Sequence, residues 1–252
     1  MKIDNQIAVI TGGASGMGQA CAQLFTEHGA RVVIWDSKLA EDASHFNDIV
    51  AFHCDVSSGS SVEKALQKTI EYVGLPSICV NCAGIAPAKR MVGKEGPMPL
   101  ADFKKVIDVN LVGTFNVMRV VAAAMLQLAP NAASAERGVI INTASVAAFE
   151  GQIGQMAYSA SKGGVVAMTL PAARELAQHA IRVNTIAPGL IATPMLLSMP
   201  QEVQDSLAQS VTFPKRLGRP DEYARLALHI IENELINGEV IRLDGALRMQ
   251  AK

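Results

Sequence analysis

The stretch Gln6-Ile-Ala-Val-Ile-Thr-Gly-Gly-Ala-Ser-Gly-Met-Gly18 decides the fold. It opens as a short β-branched apolar run and breaks at once into glycines. We read strand Gln6–Ile10, a loop, and helix Gly16–His28. A pyrophosphate needs close backbone approach and unpaired N–H groups at a helix N-terminus, and glycines permit that approach. Gly12, Ser15, Gly16, Met17 and Gly18 are therefore the candidate phosphate cradle. Their spacing is not the G-x-G-x-x-G of the common dinucleotide fold. A plain strand-to-helix turn also uses glycine, so the loop alone leaves both readings open.

Working outward, the same alternation continues to the far end of the chain. Strands are expected at Arg31–Trp35, Ile49–His53, Ser77–Asn81, Gly138–Thr143, Ile181–Ile186 and Glu239–Leu243. Long helical patterns cover about Leu100–Leu128 and Met156–Ala180. Strands spaced by helices imply βαβ crossovers and a parallel sheet with helices on both faces. The expected fold is α/β: one Rossmann-like, doubly wound domain over residues 1–252, with a seven-stranded parallel sheet. A nucleotide-binding part of about 1–145 precedes a catalytic part of about 145–252. Ile85–Pro99, Ala129–Arg137 and Gly189–Pro214 read as loops.

The chain has 252 residues, half of them hydrophobic, and a formal net charge of −1. That balance gives no electrostatic reason to expect nucleic acid or an anionic membrane as partner. No uninterrupted apolar run approaches a membrane span, and no signal-peptide pattern opens the sequence. A cytoplasmic protein is expected, with the mitochondrial matrix as the alternative for a eukaryotic chain. Cys79-x-x-Cys82 has a spacing used in metal and redox sites. It lies on a strand, where residues three apart face opposite ways, and the structural reading is preferred, with no metal site.

Ligands of an open parallel sheet bind beyond the strand C-termini. The second strand ends at Asp36, 18 residues after Gly18. A carboxylate there can accept from both hydroxyls of an adenosine ribose and repels a 2′-phosphate, so NAD is expected rather than NADP. A helix N-cap is the competing role. Asp55 and Val56 follow the third strand, and Asn81, Cys82, Ala83 and Gly84 end the fourth. Asp55 could meet the adenine amino group, and Gly84 could admit a ribose.

The fifth strand runs into Ser145, and thirteen residues later comes Tyr158-Ser-Ala-Ser-Lys162. Tyr158 and Lys162 share a helix face at four residues' spacing. A free phenol titrates near about 10, too high for a base at neutral pH, and a nearby ammonium lowers it. Such a pair can move protons near physiological pH. Gln152 and Gln155 lie between Ser145 and Tyr158, either as substrate-pocket polars or as solvated loop residues.

Thr11-Gly-x-x-x-Gly16-x-Gly18, Asn81-x-Ala83-Gly84, Asn110, Ser145, Tyr158-x-x-x-Lys162 and Pro188-Gly189 together resemble the short-chain dehydrogenase/reductase family. Cys82 departs from the second Asn that many members carry. The resemblance implies Tyr158 as acid/base, Ser145 as its partner on the substrate oxygen, and Lys162 on the nicotinamide ribose. Asn110 would anchor a relay water, and Pro188, Gly189, Ile191 and Thr193 would lie against the nicotinamide.

Val139–Gly151, Phe213–Gly218, Ile230–Asn233 and Asn237–Gln250 further resemble the type II 3-hydroxyacyl-CoA dehydrogenases. That likeness implies an NAD-dependent homotetramer acting on 3-hydroxyacyl-CoA. Hydroxysteroid oxidation and 3-oxoacyl-carrier-protein reduction are the alternatives. Lys89, Arg90 and Lys94 could meet CoA phosphates, or simply be a solvated loop. Met195-Leu196-Leu197 could cover an acyl chain or a steroid, or belong to the core.

Overall fold

The computed structural model describes residues 1–42, 44–47 and 49–251. In chain order its elements begin β1 (Ile7–Thr11), α1 (Gly16–Glu27), β2 (Arg31–Asp36), β3 (His45–Phe46) and β4 (Ile49–His53). There follow α2 (Gly59–Tyr72), β5 (Ile78–Asn81), a two-residue hairpin β6 (Val92–Gly93) and β7 (Gly96–Pro97), and α3 (Leu100–Ile107). A π-helical turn, Asp108–Val112, joins α3 to α4 (Gly113–Met125). Then come β8 (Gly138–Thr143), a 3-10 turn at Val146–Ala148, α5 (Met156–Ala177) and β9 (Ile181–Pro188). The last elements are α6 (Pro194–Leu197), α7 (Gln201–Ser210), α8 (Pro220–Glu232) and β10 (Val240–Leu243).

The main sheet runs β10-β9-β8-β5-β1-β2-β4-β3. Its seven longer strands are parallel, as expected, and the crossing of order falls between β1 and β5. That reversal opens a crevice above the strand ends, where a ligand can enter. The eighth strand is a correction: β3 adds antiparallel to β4 at the sheet edge. The chain reverses at Asn47, whose φ of 48° an asparagine tolerates.

Alternate residues of each strand feed two cores, the pattern of a sheet buried on both faces. Ile10, Ile34, Val80 and Ile141 pack with Phe25 of α1 and Tyr223, Ala227 and Ile230 of α8. Val9, Val33, Cys79 and Ile140 pack on the opposite face with Val62 of α2, Val117 and Val121 of α4 and Ala173 of α5. Cys79 and Cys82 accordingly lie on opposite faces, as strand geometry requires.

Two expected loops contain structure. Ile85–Pro99 holds the β6–β7 hairpin, and Gly189–Pro214 holds α6 and α7. Helix α7 buries none of its residues, so no apolar stripe announces it. The helical run Leu100–Met125 has the length and hydropathy to cross a membrane, though half of its most apolar window is buried in the fold. On β9, Arg182 forms a buried ion pair with Glu136 and donates to the carbonyls of Ile230, Ile231 and Ile236. Glu136 also accepts from the Met1 ammonium at 2.5 Å.

Candidate active site

At the crevice the glycine loop folds as a cradle. Gly12 and Gly16 have φ of 65° and 56°, and Gly12 donates to the Trp35 carbonyl at 2.8 Å. A Cβ on Gly18 would stand 2.4 Å from the Gly12 carbonyl oxygen, so only glycine lets α1 start this close to β1. Ser15 caps α1 in extended conformation without a side-chain hydrogen bond, so its side chain covers none of the first N–H groups. Free N–H groups at a helix start suit a phosphate. Met17 packs toward the core behind the loop.

Asp36 is buried at the end of β2 and accepts from Ala14 N at 3.1 Å and Lys38 N at 3.0 Å. Each oxygen keeps a lone pair for a further donor. Asp55 is exposed, and its Oδ1 accepts from the backbone and hydroxyl of Ser57. Val56 is buried, and its carbonyl takes the Asn116 amide at 2.9 Å.

Asn81 reaches sideways. Its Nδ2 donates to Asn142 Oδ1 on β8 at 2.9 Å, so the amide ties two strands together. Cys82 N donates to the Thr11 carbonyl and Ala83 N to the Thr11 hydroxyl, which joins β5 to the glycine loop. A Cβ on Gly84 would lie 3.2 Å from Asn110 Oδ1 and 3.6 Å from Lys162 Nζ, so Gly84 is where these two groups converge.

Asn110 sits wholly buried in the π-helical turn, a distortion that often marks functional sites. Its amide holds Ile85 in both directions at 2.8 Å and donates to the Ser161 hydroxyl at 3.1 Å. Lys162, one turn beyond Tyr158 on α5, is also buried and donates to the Thr143 carbonyl at 2.6 Å. Desolvation lowers this ammonium to about 8.

Tyr158 differs from expectation. Lys162 Nζ lies 5.9 Å from the ring centroid and bonds toward β8, and the phenol is raised rather than lowered. Its enclosure raises it, and a hydrogen bond from Ser145 pulls in the opposite direction. The Ser145 oxygen accepts from Ala147 N at 3.1 Å, which leaves its hydroxyl proton free to donate.

Gln152 and Gln155 each spend one side-chain group on a local contact. Gln155 Oε1 accepts from Gln152 N, and Gln152 Nε2 donates to the Gln250 carbonyl. A short loop leaves its amides without partners, and these side chains supply or seek them locally. Opposite, Gly189 donates to the Leu243 carbonyl, and Pro188 ends β9. Ile191 is buried and bridges to Gly218, while Thr193 starts α6 against Gly16. A cavity of about 250 Å³ lies behind this flap, lined by Ile191, Val211, Arg216 and Asp244 among others.

Sequence reasoning missed the groups under the site. Thr143 shares a 2.7 Å hydrogen bond with the Tyr223 hydroxyl, and the Cys82 thiol contacts both. Cys82 is held below its ordinary value by the Cys21 thiol and the Thr143 and Tyr223 hydroxyls, whereas burial raises Cys21. A backbone acceptor such as the Thr143 carbonyl leaves no mark in a sequence. Tyr223 does leave one, as the tyrosine among the apolar positions of an otherwise amphipathic α8.

The family profile described as short chain dehydrogenase matches residues 6–204. A 3-hydroxyacyl-CoA dehydrogenase type-2 from Homo sapiens is 54% identical, covering 99% of this chain and 97% of its own length. The protein of that name from Bos taurus is 53% identical over the same shares. A crystal structure of 3-hydroxyacyl-CoA dehydrogenase type-2 from Mycobacterium avium superposes with a TM-score of 0.90. It shares 40% identity and covers 100% of this chain and 98% of its own. Profile, full-length identity and superposition agree: this chain belongs to the short-chain dehydrogenase family and is an oxidoreductase.

Proposed function

We propose that this chain interconverts 3-hydroxyacyl-CoA and 3-oxoacyl-CoA with NAD, using Tyr158 as the proton-transfer residue. One observation carries the chemistry. A buried ammonium, Lys162, is fixed to the end of β8 on the same helix face as the Tyr158 phenol, and the neighbouring Ser145 hydroxyl favours that phenol's ionised form. The name shared by the full-length relatives supports the substrate.

The crevice fits a dinucleotide. Its cradle excludes a Cβ at Gly18, and the Asp36 carboxylate suits ribose hydroxyls and opposes a 2′-phosphate. Gly12, Ser15, Gly16, Met17 and Gly18 would hold the pyrophosphate. Asp55, Val56 and the Asn81–Gly84 strand end would flank the adenosine and ribose. Pro188, Gly189, Ile191 and Thr193 would cover the nicotinamide. Bound NAD supplies the hydride acceptor for the carbinol carbon.

During oxidation Ser145 donates to the substrate oxygen, which orients it toward Tyr158. In the reductive direction the protonated Tyr158 gives its proton to the substrate oxygen, and Lys162 offsets the negative charge left on the phenol oxygen; in oxidation that phenolate takes the hydroxyl proton back. Asn110 holds Ile85 and so keeps Gly84 against Lys162; it would also anchor the relay water. Lys89 pairs with Asp102 at 2.5 Å, which leaves Arg90 and Lys94 to meet CoA phosphates. Leu196 is buried, while Met195 and Leu197 are half exposed and offer an apolar face to an acyl chain.

Initial rates across 3-oxoacyl-CoAs of rising length, a branched acyl-CoA, a ketosteroid and an acyl-carrier-protein thioester test this reading. NADH and NADPH are compared in each case. The acyl-CoA thioesters should have the highest kcat/KM with NADH. An NADPH preference overturns the cofactor assignment, and a higher value for the steroid or the carrier-protein thioester overturns the substrate. We also propose a homotetramer: Val112, Phe115, Leu126 and Leu170 are exposed apolar side chains that an interface would cover. Light scattering checks the mass.

A further inference from the structure

Outside the cofactor crevice, one charge cluster joins two stretches far apart in sequence. Glu150, just after the Val146–Ala148 turn, receives both guanidinium nitrogens of Arg242 on β10 at 2.8 Å. Arg242 also donates to Asp244 Oδ2 at 2.6 Å and to the Leu247 carbonyl at 3.0 Å. Its guanidinium lies 5.2 Å above the Phe149 ring. Arg248 adds a contact to Asp244 at 3.3 Å.

The tail that follows lies along the same loop. Ile153 N donates to the Ala251 carbonyl at 3.1 Å, and Gln152 Nε2 to the Gln250 carbonyl at 3.2 Å. The opposite rim is tied as well, because Lys89 N donates to the Gly154 carbonyl at 2.8 Å. Asp244 meanwhile presses on the nicotinamide flap: a Cβ on Gly189 would stand 2.9 Å from its Cα. Between these ties the loop is thin, and Phe149, Ile153 and Met156 remain about half exposed. Among the described residues, none of 149–155 belongs to a core cluster.

We propose that Glu150 and Arg242, with Asp244, are positioning residues that fix the connection between Ser145 and Tyr158 and so set the substrate's seat. The proposal rests on the secondary-alcohol reading of that site. A bidentate guanidinium–carboxylate pair is directional, so it specifies where the loop sits as well as holding it. None of these side chains touches a reacting atom. Loss of the Glu150 tie, which does not reach the nicotinamide flap, should therefore weaken substrate placement and spare cofactor binding.

The test uses Glu150→Gln and Arg242→Lys in the full chain. Glu150→Gln keeps the shape and removes the charge. Its KM for acetoacetyl-CoA should rise about tenfold, the scale of one charge-assisted hydrogen bond lost. kcat and the NADH Kd should move by less than about twofold. Arg242→Lys keeps the charge without the fork and should fall between Glu150→Gln and the unaltered chain. Hydrogen exchange of amides 149–155 should quicken about tenfold in Glu150→Gln, while amides 158–162 stay protected. Unchanged KM, unchanged exchange, or a parallel loss of NADH affinity would each overturn the proposal. If the unaltered chain prefers another ketone, the acyl-CoA reading falls, and the KM comparison is made with that ketone instead.

Discussion

Replacing Lys162 with Met should stabilise the fold while it disables the site. Desolvation lowers the buried ammonium from 10.5 to about 8. At about 1.4 kcal/mol for each tenfold in proton affinity, keeping that charge buried costs about 3 kcal/mol at neutral pH. Against this, Met loses the 2.6 Å bond to the Thr143 carbonyl. A buried acceptor left short of a partner costs about 1–2 kcal/mol. The balance leaves Lys162→Met about 1–2 kcal/mol more stable at pH 7. The pH dependence carries the sharper test. The unfolded lysine binds protons up to 10.5 and the folded one only to about 8, so the unfolded state holds more protons in between. Stability of the unaltered chain must then rise with pH across that window, and its deficit is complete below about 8. The variant's advantage should shrink and then reverse toward 10.5. Urea unfolding of both proteins without cofactor, at one protein concentration and at pH 7 and 9.5, measures this. A variant less stable at pH 7, or a gap equal at both pH values, would refute the reasoning.

Three further outcomes follow from the geometry. Tyr158→Phe should lower kcat/KM by about 10²–10⁴-fold with NADH binding unchanged, measured by steady-state rates and fluorescence titration. Asp36→Ala removes the carboxylate that Ala14 and Lys38 orient, and should raise the KM for NAD about tenfold while narrowing its margin over NADP. Glu136→Gln breaks the buried pair with Arg182 and leaves the guanidinium without its counter-charge. It should cost about 3–5 kcal/mol in urea unfolding, with the NADH Kd of the remaining folded protein unaffected.

Much of this architecture is legible because buried parallel strands are written as apolar runs. Ile7–Thr11, Ile78–Asn81 and Gly138–Thr143 fill both cores and end at polar residues above the sheet. The strand ends therefore predict the crevice as well as the fold. Elements held by few core contacts are the ones that escape. The α7 helix has no buried face, and β3 is two residues made by a turn at Asn47. Motif residues are legible as positions but not as partners. Asn81 matches the family pattern, yet its amide bonds Asn142 through strand register that only the sheet creates. Gln152 and Gln155 are legible as loop polars, but their bonds to a local turn and to a tail about a hundred residues downstream are not.

The tyrosine and lysine show why spacing alone gives the wrong direction for the phenol. At four residues' separation the expectation is attraction between two charged forms, which lowers Tyr158. In the folded chain the enclosure acts on both residues first and disfavours phenolate and ammonium alike. The phenol therefore rises and the ammonium falls, and the two proton affinities separate. At neutral pH the resting pair is a protonated tyrosine beside a largely protonated lysine. Charge on the phenol oxygen is then tolerable only while a proton is in transit, with Ser145 donating and Lys162 still cationic. Dryness keeps Tyr158 from standing ionised in the absence of substrate, and it strengthens every dipole aimed at the oxygen when substrate arrives. In the proposed mechanism, the same burial that makes Lys162 a liability to the fold serves the reaction. Activity that depends on the cation must therefore fall away as pH rises past about 8, where the folded lysine gives up its proton.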